Sequence, residues 1–460
     1  MPAKQSVYDR VLQQQAGREP VRLAKKLDLI ASDPFAFFRG TAELFYESLP
    51  ELNLLRDSPT VLCCGDLHLE NLGSFRGANR LVYFDLNDFD EACVAPLAYE
   101  VIRFLSSIHA GAASLGLSEK QAERLCKSFL KRYAEVLAAG KPAWIERLTA
   151  RGLVKQLLEG LRERHRSTLL SERTRLRKNG RRELREDGKR ILAISPKEKK
   201  HVAACLKVYA DKQPDPRFYR VLDIGARVAG NGSLGLPRYI VLTEGRGGPD
   251  GHWLLDLKAA VSSSLAKHVA CRQPGWKAEG ERVAAVQKTM VAMAPALLSP
   301  VLLHGESFVL KELQPTADRL ELDATRGNLE ALTEVIEDMA QLTAWAQLRG
   351  GARFGAAMPE ALMHYGALKQ WHEPMLKAAR IAAERNLEQW QVFRQEHLQR
   401  TLQGGAGKGA DAPAAGQAKA KAKSAKPKSK AAAKTKSKAT PNSKAVAKSR
   451  HSAKSRTRAR

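Results

Sequence analysis

The sequence predicts an α+β fold, on three observations. Apolar residues recur at i, i+3 and i+4 spacings toward both ends of the chain, the mark of amphipathic helices. Residues 217–320 instead read as short β-rich runs separated by glycine-rich links. A hydrophobic content of 44% over 460 residues supplies a sizeable core. The last stretch departs from this pattern. From Gly404 to Arg460 there are 17 Lys and Arg, one acid (Asp411) and no aromatic residue. Such a segment cannot bury enough apolar area to offset chain entropy, so residues 404–460 are expected to be a disordered basic tail. The tail carries more than half of the formal net charge of +27.

Taken in order, residues 1–60 read as helical. Ser32-Asp33-Pro34 is an N-cap with proline in the first turn, and Phe35, Phe38, Ala42, Phe45 and Leu49 continue one apolar face. Thr60 to Cys64 and Leu81 to Leu86 read as short strands. Residues 97–140 return to helix, with Tyr99, Ile102, Phe104, Leu105 and Ile108 on one side. Residues 141–200 also read as helical but polar. Between Arg162 and Arg190 stand 12 basic and 5 acidic residues, the pattern of a solvated helical hairpin or a face turned to a polyanion. Val221 to Ala229, Pro237 to Thr243 and Trp253 to Leu257 read as three strands. A helix near Ala278 to Leu298 is followed by strands Val301 to Leu303 and Ser307 to Leu313. Long helices over 328–348 and 358–402 complete the chain. The expected organisation is a helical lobe over 1–216 with a basic helical segment near 145–200, a β-rich lobe over 217–320, helices over 321–403 packing back on the first lobe, and the tail.

Six cysteines lack paired metal-type spacing, which fits a reduced, cytoplasmic protein. The N-terminus has no apolar signal core. No run of 18 apolar residues exists, so no membrane span is expected.

The chemistry concentrates in two places. Cys64-Gly65-Asp66-Leu67-His68-Leu69-Glu70-Asn71 is followed by an apolar run and then Asp88-Phe89-Asp90-Glu91-Ala92. An Asp with an Asn five residues on and a further Asp seventeen beyond that is the polar skeleton of a phosphoryl-transfer site. One Asp orients the attacking hydroxyl, while the Asn and the second Asp hold Mg²⁺. Turn residues around a hairpin would also be rich in Asp, Asn and Gly. The second place is Gly230-Asn231-Gly232-Ser233-Leu234-Gly235, set between two β-rich runs, where glycines let backbone N–H groups approach phosphates. Lys258 closes the next apolar strand, and Glu279 or Glu281 on the following helix is placed to fix it. A plain glycine-rich hairpin with an edge lysine is the competing reading.

Together these stretches resemble the protein-kinase-like superfamily, especially its aminoglycoside and choline phosphotransferase branch. More closely, the chain resembles the uncharacterised bacterial family known as domain of unknown function 2252, through Ser32 to Gly40, Cys64 to Phe75, Phe84 to Glu91 and the Gly230 to Gly235 loop. Cys64 stands where the phosphotransferase loop usually opens with His. The glycine-rich loop also follows the catalytic loop here instead of preceding it. The resemblance therefore implies a two-lobed, circularly permuted kinase-like fold. It implies ATP and Mg²⁺ as cofactors, with Asp66 catalytic, Asn71 and Asp88 on the metal (Asp85 and Asp90 being the flanking alternatives), and Gly230, Gly232, Ser233, Gly235, Lys258 and Glu281 on the nucleotide. The implied activity is phosphoryl transfer to an unknown hydroxyl acceptor, and AMP transfer needs the same parts. A different class of function is a nucleic-acid-associated binding protein with an inert kinase-like body. The tail motivates it: alternating Lys with Ala or Ser, as in Lys419 to Lys423, suits nonspecific contact with DNA or RNA backbones and a nucleoid association.

Overall fold

The computed structural model describes residues 5–406 apart from 51, 231, 233 and 304. The fold is mixed α+β. The first four strands, β1 (Thr60–Cys63), β2 (Leu72–Arg76), β3 (Val82–Leu86) and β4 (Cys93–Pro96), are short and largely buried, as apolar runs bounded by Gly, Asn and Asp demand. β1 pairs antiparallel with β4, placing Cys63 opposite Cys93. β2 and β3 form a hairpin in which Leu72 lies opposite Leu86, so Asn71 and Asp88, which flank the pair, emerge at the same end. The short strand β5 (Ile145–Glu146) extends this sheet beside β3. Between β1 and β2 the chain turns sharply at Gly65, where φ is +83° and a Cβ would lie 1.8 Å from the Glu91 carbonyl oxygen. No side chain fits there.

Around these strands packs a helical body: Leu97–Gly111, Glu119–Ala139, Leu329–Gly350, Pro359–Ala367 and His372–Ala406. Phe104 and Phe129 stack at 4.2 Å in its core, with Leu342, Ala346 and Met375 fully buried in the same cluster. Helix Glu119–Ala139 starts with a reciprocal Ser118–Gln121 capping box and stops at Gly140 in the left-handed conformation.

The later strands are β6 (Thr174–Leu176), β7 (Arg182–Leu184), β8 (Ile191–Leu192), β9 (Val221–Arg227), β10 (Arg238–Thr243), β11 (Trp253–Ala259), β12 (Ser299–Leu303) and β13 (Glu306–Glu312). Six of them make an antiparallel sheet in the order β12-β13-β11-β10-β9-β8. Side chains alternate across it. Tyr239, Val241, Leu255 and Leu257 join one core with Val202, Cys205 and Leu206 of helix Pro196–Ala210. Ile240, Leu242 and Leu254 join another with Leu169, Leu170, Leu184 and Ile191. The strand period of two therefore puts Asp256 and Lys258 on the face that carries Leu254.

Three expectations change. Residues 141–200 are not a polar helical hairpin. They form helices Gly152–Gly160 and Arg166–Arg173 and then β6 to β8. The Asn179-Gly180 pair turns a β6–β7 hairpin, with Gly180 at φ +74°, and Leu184 and Ile191 cap the sheet. The expected dividing line at 216/217 is accordingly not a structural edge, because β8 belongs to the same sheet as β9 and residues Met1–Ala406 form one compact unit. The helix expected over Phe35 to Leu49 breaks into Pro34–Gly40 and Ala42–Glu47, as Thr41 turns its hydroxyl back onto the Phe37 carbonyl. Among the described residues no helix is long and apolar enough to cross a membrane. The expected disordered tail lies outside the described residues, apart from the helical backbone of 404–406.

Candidate functional site

Asp66 sits where β1 ends, on a turn held from several sides. The fully buried Glu100 accepts the Cys64 N–H at 2.6 Å and the Gly65 N–H at 3.3 Å, and is itself tied to Gln347 at 2.8 Å. Tyr46 donates its hydroxyl to the Gly65 carbonyl at 2.7 Å. The Asp66 carboxylate is gripped on Oδ1 by Arg103, with both Nε and Nη2 at 2.6 Å. Arg103 is wholly buried among the rings of Phe38, Phe45 and Tyr46, 4.2 to 5.5 Å from their centroids. The second oxygen, Oδ2, faces His68 Nε2 at 4.0 Å. Burial raises the Asp66 carboxyl above its ordinary range, with Arg103 opposing. His68 accepts the Glu70 N–H on Nδ1 at 3.1 Å, and burial, with Arg39 and Arg103 nearby, pushes its pKa well down. It is a neutral brace of the loop.

Asn71 joins this loop to the next acidic one. Its amide donates to the Asp66 carbonyl at 2.7 Å and the Asp88 carbonyl at 3.3 Å, while its oxygen accepts the Asp88 N–H at 3.1 Å. Of the three neighbouring aspartates, Asp85 is buried and engaged by the Leu86 and Ala292 N–H groups. Asp90 pairs closely with Lys258. The Asp88 side chain is 58% exposed and lies 3.6 Å from Lys258. The protein packed around the cleft partly desolvates Asp88 and works against its ionisation, but Lys258 and Lys311 outweigh this and hold that carboxyl well below the usual range. Asp90 moves the other way, raised by burial and by the charge of Asp88.

The opposing wall is the sheet. Lys258 and Lys311 come from paired strands β11 and β13, and Asp256 lies opposite Lys311 in register. Asp256 is clamped by Arg238 at 2.9 and 2.5 Å and by Arg227 at 2.5 Å, and Arg238 also reaches the Ala229 carbonyl at 3.0 Å, anchoring the base of the glycine-rich loop. A 400 Å³ cavity separates this wall from the acidic loops. Asn71, Asp88, Asp90, Gly230, Lys258 and Lys311 line it. A second cavity of 230 Å³ shares Asp88 and Asp90 with the first and adds Asp66, Glu91 and Gly232.

The fold thus gathers Asp66, Asn71, Asp88, Lys258, Gly230 and Gly232 around two adjoining cavities. Gly235 closes the loop at φ +88°, against Arg18. Ser233 lies outside the described residues. Glu281 does not serve Lys258, and neither does Glu279. Glu281 accepts the Lys277 N–H at 2.9 Å, and Glu279 pairs with Arg282 at 2.6 Å. The carboxylate partner of Lys258 comes from the acidic loop instead, and helix Glu279–Met290 contributes Arg282, which binds the Asp90 carbonyl at 2.8 Å and the Val261 carbonyl at 2.7 Å. Arg103 and Lys311 are residues that sequence reasoning left out, and Asp90, weighed there only as an alternative metal ligand, is the partner of Lys258. Arg103 had a signal, being a charge inside the apolar run Val101 to Leu105.

Among the described residues no three His, Cys, Asp or Glu side chains form a ready metal cage. The hard oxygens of Asp88 and Asn71 suit Mg²⁺, which usually takes one or two carboxylates and completes its shell with phosphate oxygens and water.

Residues 18–396 match the family described as uncharacterised proteins conserved in bacteria, domain of unknown function 2252. The chain belongs to that family. No curated protein and no solved structure matches it. The domain 2252 match includes every residue placed at the two cavities except those at the extreme N-terminal edge, such as Gln14 and Gln15, and it ends before the basic tail.

Removing one half of a buried ion pair costs about 3–5 kcal/mol, less where solvent screens it. Arg103→Met is expected to lose about 2 kcal/mol in urea unfolding, and Asp66→Asn to recover part of that loss in the double variant. An Arg103→Met protein as stable as the parent would show that Asp66 does not depend on this clamp.

Proposed function

We propose that this chain is an ATP- and Mg²⁺-dependent phosphotransferase of kinase-like architecture. The observation that carries the reading is the meeting of Lys258, from the sheet, with Asp88 and Asp90, from the acidic loops, beside Asp66 and beneath the glycine-rich loop. The order of elements supports it. β9, the glycine-rich loop, β10, Lys258 on β11, helix Glu279–Met290, β12 and β13 follow the sequence of parts found in a kinase nucleotide lobe. The acidic loops come earlier in the chain, so the architecture is a permuted one.

In this reading Lys258 and Lys311 bind the phosphates, and Asp88 with Asn71 holds the metal. Asp66, positioned by Arg103, accepts the proton of the attacking hydroxyl through Oδ2; its raised pKa suits it to that task. ATP supplies the transferable phosphoryl group, and Mg²⁺ neutralises its developing charge. The cavity beside Asp66, 230 Å³ in volume, has room for a small hydroxylated acceptor or a single hydroxyl-bearing side chain. AMP transfer would use the same groups, and mass spectrometry of the product separates the two.

A ligand at about 100 times its Kd adds roughly 2.7 kcal/mol of stability. Millimolar ATP with Mg²⁺ is therefore expected to raise the melting temperature by several degrees, and Asp88→Asn to remove the Mg²⁺-dependent part. Lys258→Ala is expected to remove most of the shift. No shift in the parent protein would contradict the reading.

The basic tail supports a second, compatible reading, in which residues 404–460 bring the enzyme to DNA or RNA. Its Lys, Ala and Ser composition favours phosphate contacts without base readout. Neutralising 6–10 phosphates costs about 10³- to 10⁵-fold in affinity between 50 and 200 mM salt. Fluorescence anisotropy with a random duplex should show that steep slope for the full chain and a much flatter one for residues 1–403. Equal slopes would remove the tail from nucleic-acid binding.

A further inference from the structure

Residues 14–26 strap the glycine-rich loop from outside. The Glu19 N–H donates to the Gly235 carbonyl at 3.1 Å, Arg18 Nη1 to the Leu234 carbonyl at 2.5 Å, and Lys26 Nζ to the Gly232 carbonyl at 3.0 Å. The strap walls the smaller cavity with Gln14, Gln15, Arg18 and Lys26, facing Asp66, Asp88, Asp90 and Glu91.

Lys26 is out of place by ordinary rules. It is 1% exposed, on a helix (Pro20–Ser32) whose other buried residues are Leu27, Ile30 and Ala31. A buried ammonium normally demands a carboxylate. Among the described residues Lys26 has none within ion-pair distance, and both of its hydrogen bonds go to neutral oxygens, Gln15 Oε1 at 2.7 Å and Gly232 O at 3.0 Å. An ammonium carries three donors, so one is left. The cation nearest to it in effect is Arg18, which among the described residues has no carboxylate at ion-pair distance and only the Leu234 carbonyl as its side-chain hydrogen-bond partner. Burial and Arg18 push the Lys26 ammonium well down from its ordinary range, with Glu91 and Asp66 opposing. Two cations with no ion-pair partner among the described residues thus line one cavity, across from Asp66 and against the middle of the glycine-rich loop.

We propose that Lys26, seconded by Arg18, binds the phosphoryl group in flight, which makes the N-terminal strap a working part of the active site. The proposal rests on the phosphotransferase reading above. Transfer forms a bond between the acceptor oxygen and the terminal phosphorus and breaks the bond from that phosphorus to the bridging oxygen of ATP. The acceptor proton passes to Asp66, and the bond electrons leave with ADP. Lys26 donates its free N–H to an oxygen of the transferring group, meeting that charge with an ammonium that, among the described residues, no carboxylate engages at ion-pair distance. Lys258 and Lys311, on the sheet side, are left to hold the phosphates that stay with ADP.

The test is calorimetric titration of the full chain, in Mg²⁺, with ATP, ADP and inorganic pyrophosphate. The parent protein is expected to prefer ATP over ADP by about tenfold, the worth of one charge-assisted hydrogen bond. Lys26→Gln keeps an N–H donor for Gln15 and Gly232 but removes the charge; it should abolish the preference and leave ADP binding within about twofold of the parent value. Lys26→Arg should restore most of the preference. Equal weakening of ATP and ADP in Lys26→Gln, or an unchanged preference, would overturn the proposal and leave Lys26 a brace for the loop. If circular dichroism shows Lys26→Gln unfolded, Arg18→Gln takes its place with the same expected and contrary ratios. If the parent binds neither nucleotide, the phosphotransferase reading fails first. Lys26-dependent binding of pyrophosphate would then keep the anion site, and absence of that binding would remove it too.

Discussion

A single carboxamide, that of Asn71, fixes the geometry on which the rest depends. It holds the carbonyls of Asp66 and Asp88 on its nitrogen and the Asp88 N–H on its oxygen, so two loops seventeen or more residues apart are locked as one unit. The amide is buried, and each lost bond would leave a polar group unpaired at about 1–3 kcal/mol. The hairpin register of β2 with β3 delivers Asn71 and Asp88 to the same end, and the Asn71 side chain does the final positioning. Everything contributed by the sheet is then measured from this fixed acidic edge.

The charges around that edge are distributed unequally, and the inequality has chemical content. Asp88 is held ionised and exposed to the cleft, while Asp66 and Asp90 are pushed upward by burial. Neighbouring carboxyls driven apart in this way can take different roles, one as a fixed anion for a cation and another as a proton acceptor. Lys258 is engaged by Asp90, whereas Lys311 has no ion-pair partner among the described residues; burial lowers its pKa, with Asp88, Asp90 and Asp256 opposing from a distance. A polyphosphate entering the cleft would therefore meet Lys311 without displacing a partner and would share Lys258 with Asp90.

The sequence made the acidic loops legible because their spacing is local. Asp66, Asn71 and Asp88 lie within one β1-to-β3 unit, and a hairpin converts spacing into position. The strands carrying the glycine-rich loop and Lys258 were legible for the same reason. What it hid is long-range. Arg103 reaches Asp66 from helix Leu97–Gly111, Lys26 reaches Gly232 across more than two hundred residues, and Asp90 replaces Glu281 as the partner of Lys258. Lys26 left a faint signal, since it falls among the apolar positions Leu23, Leu27 and Ile30 of its helix. The misread stretch was 141–200, where abundant arginine suggested a solvated helical pair. The Asn179-Gly180 turn and the apolar Leu184 and Ile191 instead made strands that cover one face of the sheet.

The most direct test of the account is a crystal structure of the full chain with Mg²⁺ and a non-hydrolysable ATP analogue. The account predicts phosphates in the 400 Å³ cleft between Lys258, Lys311 and Asp88, with the terminal phosphate directed toward Asp66 and Lys26. A nucleotide bound elsewhere on the chain, or a cleft in which Lys258 remains closed on Asp90 with no ligand at saturating concentration, would contradict it.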